Sequence, residues 1–346
     1  MFSLDKRNIR VAVSPFCNLN CIYCDGQKSR RPGKPGAMED FRRKPLDQGV
    51  ITTNEFIEII RALYLSGFNG MTLTGGEPFL NPEWDMIVNK SKEMGMSRVG
   101  VTTNGVLLNS YLKKNKHLPK GLTLLTLSLD TIDACSFKAI TGQDKLNEII
   151  KGIKAAKKDN PKLIIRANKV VLRNDMKYLL DYIKFCEKTH VFDEVNLLNL
   201  VLKEHQSKSF FEKEFISALD ILDFFSKNTK YKFSIDERYE YGTELPSGLK
   251  IILKDTNLTL RSDQCIDCPI YCQEGFYTVR IATDGNITAC PDHKSELSSI
   301  DGIAELKKGE LSNKVNKLVK KFKTVVLKET LKDFFIKNNI KFKKNS

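Results

Sequence analysis

What most limits the folds open to this chain is a regular alternation of short β-branched runs with longer amphipathic ones. The short runs at 9–14, 71–74, 98–103, 124–130, 163–171 and 194–201 read as strands. Segments with apolar residues at helical spacing lie between them, at 53–67, 82–95, 146–159 and 176–189. Strand–helix alternation of this kind predicts parallel strands joined by right-handed crossovers. Six such units imply an α/β fold, a partial (β/α)6 barrel, whose ligands sit at the C-terminal ends of the strands. The pattern breaks at 203–210, a helix follows to about 228, and the alternation stops from 231. The run YTVRIATDGNITAC then carries a hairpin signal around Asp284-Gly285. The expected division is a barrel over 1–235 and a smaller cluster-binding domain over 236–346.

With 346 residues, 41% of them apolar, the chain can bury a core of this size. No run approaches the ~18 apolar residues of a membrane span, and the start MFSLDKRNIR has no apolar signal core. A cytoplasmic setting is therefore expected, where nine cysteines argue for metal or cluster ligation over disulfides. The net charge of +14 is concentrated in the Lys-rich segment after 306. There Leu311, Val315, Leu318, Val319 and Phe322 form an apolar helical stripe with lysines outside it, a solvated helix face and not a nucleic-acid surface.

Directly after the first strand, SPFCNLNCIYC sets Cys17, Cys21 and Cys24 in a C-x3-C-x2-C spacing. Three thiolates in one loop can ligate three irons of a 4Fe–4S cluster and leave the fourth iron open. Zinc is the alternative, but structural zinc takes four ligands and no His lies nearby. A second set, Cys265, Cys268, Cys272 and Cys290, reads C-x2-C-x3-C-x17-C. It suits either a second 4Fe–4S cluster or a tetrahedral structural zinc. Cys135 and Cys186 stand singly in helical patterns and read as small buried apolar groups. His117, His190, His205 and His293 show no metal spacing, and Trp84 reads as core.

CNLNCIYC, with Tyr23 in the aromatic position, resembles the signature of radical S-adenosylmethionine enzymes. The likeness continues in order through TGGEP (74–78), TTNG (102–105), SLD (128–130), ITGQDKLNEIIKGIKAA (140–156) and RANKVVLR (166–173). Taken alone, TGGEP is an ordinary Gly-Pro turn; the ordered set is what carries the resemblance. It implies that the open iron chelates S-adenosylmethionine, with Gly75, Gly76 and Glu77 along its methionine part. Thr103, Asn104, Ser128 and Asn168 would be further contacts to the adenosine and carboxylate. The implied activity is one-electron cleavage to a 5′-deoxyadenosyl radical that abstracts hydrogen from the substrate, with a reductase or flavodoxin-type electron donor.

Within that family the whole-chain pattern is similar to the GTP cyclases of molybdenum-cofactor biosynthesis (MoaA type), which carry a second cluster in their C-terminal domain. Arg10 and Arg280 fall on arginines that contact the substrate in those cyclases, and Arg166 is a third candidate. Three other cyclase arginines are replaced by Thr278, Asn81 and Asn196, and the chain ends KFKKNS without a terminal Gly-Gly. A triphosphate needs several converging cations or backbone donors. The lost arginines and the fourth cysteine, which resembles abbreviated twitch or SPASM-like auxiliary domains, point to another substrate, a nucleoside, nucleotide, sugar or peptide. The alternatives are a genuine GTP cyclase and a non-catalytic iron–sulfur or zinc protein; release of 5′-deoxyadenosine by the reduced protein separates turnover from mere binding.

Overall fold

The computed structural model describes residues 8–24, 50–202, 208–235, 240–255, 261–262, 278–289, 299–321 and 324–325. The second cysteine set, Val319 and Phe322 as side chains, His205 and His293 lie outside them. Fourteen strands are described: β1 (Asn8–Ser14), β2 (Gly70–Gly75), β3 (Arg98–Thr103), β4 (Leu124–Ser128), β5 (Ile164–Val170), β6 (Glu194–Leu198) and β7 (Ser234–Ile235) come first. Then follow β8 (Tyr241–Glu244), β9 (Lys250–Leu253), β10 (Arg261–Ser262), β11 (Thr278–Ile281), β12 (Asn286–Thr288), β13 (Ser299–Asp301) and β14 (Thr324–Val325). The helices are α1 (Thr53–Leu65), α2 (Trp84–Glu93), α3 (Leu108–Asn115), α4 (Ala134–Thr141), α5 (Leu146–Asp159), α6 (Leu179–Thr189), α7 (Lys208–Glu214), α8 (Ala218–Asn228), α9 (Gly302–Lys307) and α10 (Leu311–Lys321).

The chain divides into two compact units. The first comprises 1–128, 133–165 and 277–321; the second comprises 129–132, 166–276 and 322–346. In the first unit the strand order is β13-β12-β11-β1-β2-β3-β4. Strands β11, β1, β2, β3 and β4 pair in parallel, while β12 and β13 add antiparallel. The hairpin from β11 to β12 turns where the Asp284-Gly285 signal places it, with Gly285 at φ 83°.

The period-2 alternation of these strands separates two faces. Ile9, Val11, Val13, Met71, Leu73, Val99, Val101, Leu125, Leu127 and Ile281 have no exposed surface. Phe56, Ile59, Ile60 and Leu63 of α1, Trp84, Ile87 and Val88 of α2, and Ile149 and Ile153 of α5 are buried with them. Helix α1 starts at a capping box, Thr52 and Glu55 satisfying each other's free N–H groups. Helix α10 buries the predicted stripe residues Leu311, Val315 and Leu318, and its Ser312 hydroxyl donates to Ala62 O of α1. The alternate positions of the strands are polar: Asn8, Arg10, Thr72, Thr74, Thr102, Thr126, Thr278 and Arg280. Parallel strands covered by apolar groups on both faces would lack such residues; a polar face signals a surface kept for a ligand.

In the second unit β5, β6 and β9 pair in parallel and β8 and β7 follow antiparallel, with β10 and β14 forming a separate antiparallel pair. Val195, Leu197, Ile251 and Leu253 of the strands are buried, as are Tyr182 and Ile183 of α6 and Phe225 of α8.

Candidate active site

Strand β1 ends at Ser14, and the chain runs straight into the loop holding Cys17, Cys21 and Cys24. Cys17 and Cys21 are half-buried and Cys24 is exposed. The loop is fastened at its far end by the C-terminus of α4. Asn20 N donates to Thr141 O at 2.9 Å and Ile22 N to Ile140 O at 3.0 Å, using helix-end carbonyls that have no partner within the helix. Gln143 Nε2 donates to Asn18 O from the same side.

The loop's near end lies on the Gly75-Gly76-Glu77 segment. Gly76 N donates to Ser14 O at 2.7 Å, and Glu77 N to Phe16 O at 2.6 Å. A Cβ on Gly76 would stand 1.9 Å from Phe16 O, and one on Gly75, which has φ 130°, would stand 2.5 Å from Ser14 O. Both glycines are thus demanded by close approach of the chain's own backbone. A side-chain amide adds a parallel tie: Asn81 Nδ2 donates to Val13 O at 3.0 Å.

Glu77 is 1% exposed. Its carboxylate accepts from Thr103 Oγ1 at 2.7 Å, Asn104 N at 2.8 Å and Phe79 N at 3.1 Å. Burial pushes its pKa up to about 7, against the opposing pull of the hydrogen bonds from Asn104 N, Thr103 and Phe79 N. Asn104 carries the network on to the cysteine loop, its Nδ2 donating to Asn18 Oδ1 at 2.7 Å and lying 3.6 Å from Cys17 Sγ. Behind Glu77, the rings of Phe79, Trp84 and Tyr111 pack with centroids 4.3 to 5.5 Å apart.

The structure therefore brings Gly75, Gly76, Glu77, Thr103, Asn104 and Cys17 together. Ser128 ends β4 half-buried. On β1 and β11, Arg10 and Arg280 stand opposite one another, with Thr72 on the other side of Arg10. In the second unit Asn168 Oδ1 accepts from Asn196 Nδ2 at 3.1 Å, and Arg166 pairs with Glu194, its Nε 2.6 Å from Oε2. Thr278 and Asn196 are 6% and 4% exposed. Contrary to expectation, Cys135 is exposed: it lies in the first turn of α4, on the side away from buried Phe137 and Ile140. Cys186 is buried as expected, and burial pushes its thiol up to about 12.

Sequence reasoning missed Lys169, a buried cation. Its ammonium donates to Asp130 O, lies 3.6 Å from the Asp175 carboxylate and stands 5.1 Å from the Tyr182 ring centre. The Tyr182 hydroxyl donates to Leu129 O at 2.7 Å and Val170 N to Asp130 Oδ1 at 2.7 Å. These bonds grip the segment that follows Ser128. The only sequence signal was a lysine at an inward-facing position of a strand.

Residues 11–174 match the family model described as "Radical SAM superfamily". This chain carries a radical SAM domain. It is 25% identical over 299 residues to the "Probable GTP 3',8-cyclase" of Sulfurisphaera tokodaii, covering 84% of this chain and 82% of that one. It is 28% identical over 324 residues to the protein of the same name from Saccharolobus islandicus, covering 91% of each. Among solved structures, Streptococcus suis SuiB is similar with a TM-score of 0.53 at 16% identity, over 82% of this chain and 60% of SuiB. SuiB bound to S-adenosylmethionine gives a TM-score of 0.52 at the same 16% identity, over 82% of this chain and 58% of that one. The chain thus spans less than two thirds of SuiB, and the likeness concerns the fold, an α/β architecture built on an unclosed parallel sheet.

The family implies a 4Fe–4S cluster and S-adenosylmethionine. Among the described residues, no three His, Cys, Asp or Glu side chains converge as ligands of one metal ion. A cluster takes each thiolate on a separate iron, and the three thiols of one loop, Cys17, Cys21 and Cys24, are a donor set that fits it. No described helix is long and apolar enough to cross a membrane.

Proposed function

We propose that Cys17, Cys21 and Cys24 hold the 4Fe–4S cluster and that the chain uses it with S-adenosylmethionine on a substrate other than GTP. The carrying observation is the hydrogen-bonded continuity of the cysteine loop with Gly76, Glu77 and Asn104. When bound, the cluster would supply the one electron that cleaves the sulfonium C–S bond of S-adenosylmethionine, giving methionine and a 5′-deoxyadenosyl radical able to take hydrogen from the substrate. The chain's own part is to orient. Gly75 and Gly76 keep the backbone of β2 against the loop, Thr103 and Asn104 hold the Glu77 carboxylate, and Ser128 offers a polar group at the end of β4. Cys265, Cys268, Cys272 and Cys290 are proposed to hold the auxiliary 4Fe–4S cluster, and a reductase or flavodoxin-type protein to supply electrons.

The choice of substrate rests on charge. The Arg166 guanidinium is already paired with Glu194. Asn81 is spent on Val13 O, and Asn196 on Asn168. Arg10 and Arg280 share one rung of the polar face, and a triphosphate needs more converging cations than two arginines. Reconstituted protein with S-adenosylmethionine and dithionite should release 5′-deoxyadenosine, and with GTP should yield no cyclic product.

The second reading is a GTP 3',8-cyclase, favoured by relatives of that name aligned over most of the chain. A cyclic GTP-derived product in the same assay would establish it. Absence of 5′-deoxyadenosine under every condition would leave only a binding role.

A further inference from the structure

The position of Asn104 assigns it a task different from touching adenosine. Its Oδ1 accepts from Val106 N at 3.0 Å. A backbone N–H can only donate, so this contact fixes which end of the amide is oxygen. The Nδ2 end consequently faces Asn18 Oδ1, at 2.7 Å, and Cys17 Sγ, at 3.6 Å. Asn104 is 8% exposed, and its backbone N–H is held by Glu77 Oε2 at 2.8 Å. Both ends of the side chain and the backbone beneath it are thus committed to protein partners, which leaves the amide locked with one N–H toward sulfur. Leu19 N, 3.5 Å from the same sulfur, is a second donor.

Hydrogen bonds to a cluster's thiolates withdraw negative charge and stabilise the reduced, more negative state, which raises the reduction potential. We infer that Asn104 is a positioning residue that donates to the Cys17 thiolate and sets the ease with which the cluster accepts its electron. The inference rests on the reading that Cys17 is a cluster ligand. Through Asn104 the Glu77–Thr103 pair acquires a role as well, since these groups hold the amide that reaches the sulfur.

The test is an anaerobic redox titration of the reconstituted full-length protein, followed by electron paramagnetic resonance. Wild type is compared with Asn104→Ala, which removes the donor, and Asn104→Asp, which keeps an acceptor for Val106 N but puts oxygen against the sulfur. A Cys17→Ala/Cys21→Ala/Cys24→Ala variant identifies the signal belonging to this site. Both Asn104 variants should bind iron and sulfide as wild type does. Their equilibrium constant for reduction should fall about three- to tenfold, tenfold being ~59 mV for a one-electron couple, with Asn104→Asp the more affected. An unchanged potential with a raised KM for S-adenosylmethionine would overturn the inference in favour of a cofactor contact. Failure of both variants to take up iron would overturn it in favour of a purely structural role. A signal that survives in the triple cysteine variant would remove the cluster reading itself, and the inference with it.

Discussion

Replacing Gly76 by alanine should damage this protein far more than one methyl group normally does. The added Cβ would stand 1.9 Å from Phe16 O, 2.3 Å from Phe16 C and 3.0 Å from Cys17 N. All three are backbone atoms, so no side chain can rotate away. Restoring an ordinary contact requires β2 and the cysteine loop to separate by roughly 1.5 Å, more than a hydrogen bond tolerates. That separation breaks Gly76 N to Ser14 O (2.7 Å) and Glu77 N to Phe16 O (2.6 Å). Two backbone bonds at about 1 kcal/mol each, with ~1–3 kcal/mol of overpacking strain, give a loss of about 3–5 kcal/mol. At ~2 °C per kcal/mol for a chain of this size, the melting temperature should fall by about 6–10 °C. The control is Gly242→Ala, a strand glycine whose added Cβ meets nothing within 4 Å; it should be neutral. Thermal unfolding of the cluster-free proteins, with iron uptake counted afterwards, measures both effects. Equal melting temperatures for the two variants would refute the argument that the glycines serve the chain's own backbone.

Three further outcomes follow from buried groups. Glu77, lifted by burial to about 7 from 4.5, should make cluster-free protein less stable as pH rises. The raised pKa favours folding fully below ~4.5, and that contribution is lost as pH climbs through ~7, a span worth ~3 kcal/mol. Urea titrations between these limits should show that slope in wild type and a flat profile in Glu77→Gln; a slope kept in the variant would assign it to another group. Lys169→Met strands the Asp175 carboxylate and Asp130 O, a loss of ~3 kcal/mol, and adding Asp175→Asn should recover part of it in a double-mutant cycle; strict additivity would show that the 3.6 Å pair is not coupled. Val315→Ala, at a position with no exposed surface, should cost ~2 kcal/mol by calorimetry, and a neutral result would mean that α10 does not pack on α1 in solution.

The strands were legible where residues alternate locally. The run at 9–14 became Asn8–Ser14, and that at 98–103 became Arg98–Thr103 without change. Helices α3 and α4 were not singled out, because each has only eight residues, too few for a 3.6-residue stripe to repeat clearly. Pairing partners are a different matter. Nothing local in TVRI announces that Thr278–Ile281 lies parallel to β1, or that Lys250–Leu253 lies beside β6, since parallel strands bond to partners far away in sequence.

The same boundary runs through the site. By itself the sequence determined the chemistry on offer: three thiols in one loop, a polar alternation on the strands and a family signature spread over ordered strand ends. All of these depend on residue type and spacing along the chain. Only the tertiary structure decided what each group is spent on. Gly76 faces Phe16 O, Asn104 faces Cys17, Arg166 is bound to Glu194, and a lysine is buried beside Asp130. Those assignments follow from which backbones meet and which polar atoms are thereby shut away from water. A buried donor or acceptor must then take whatever partner the fold brings to it.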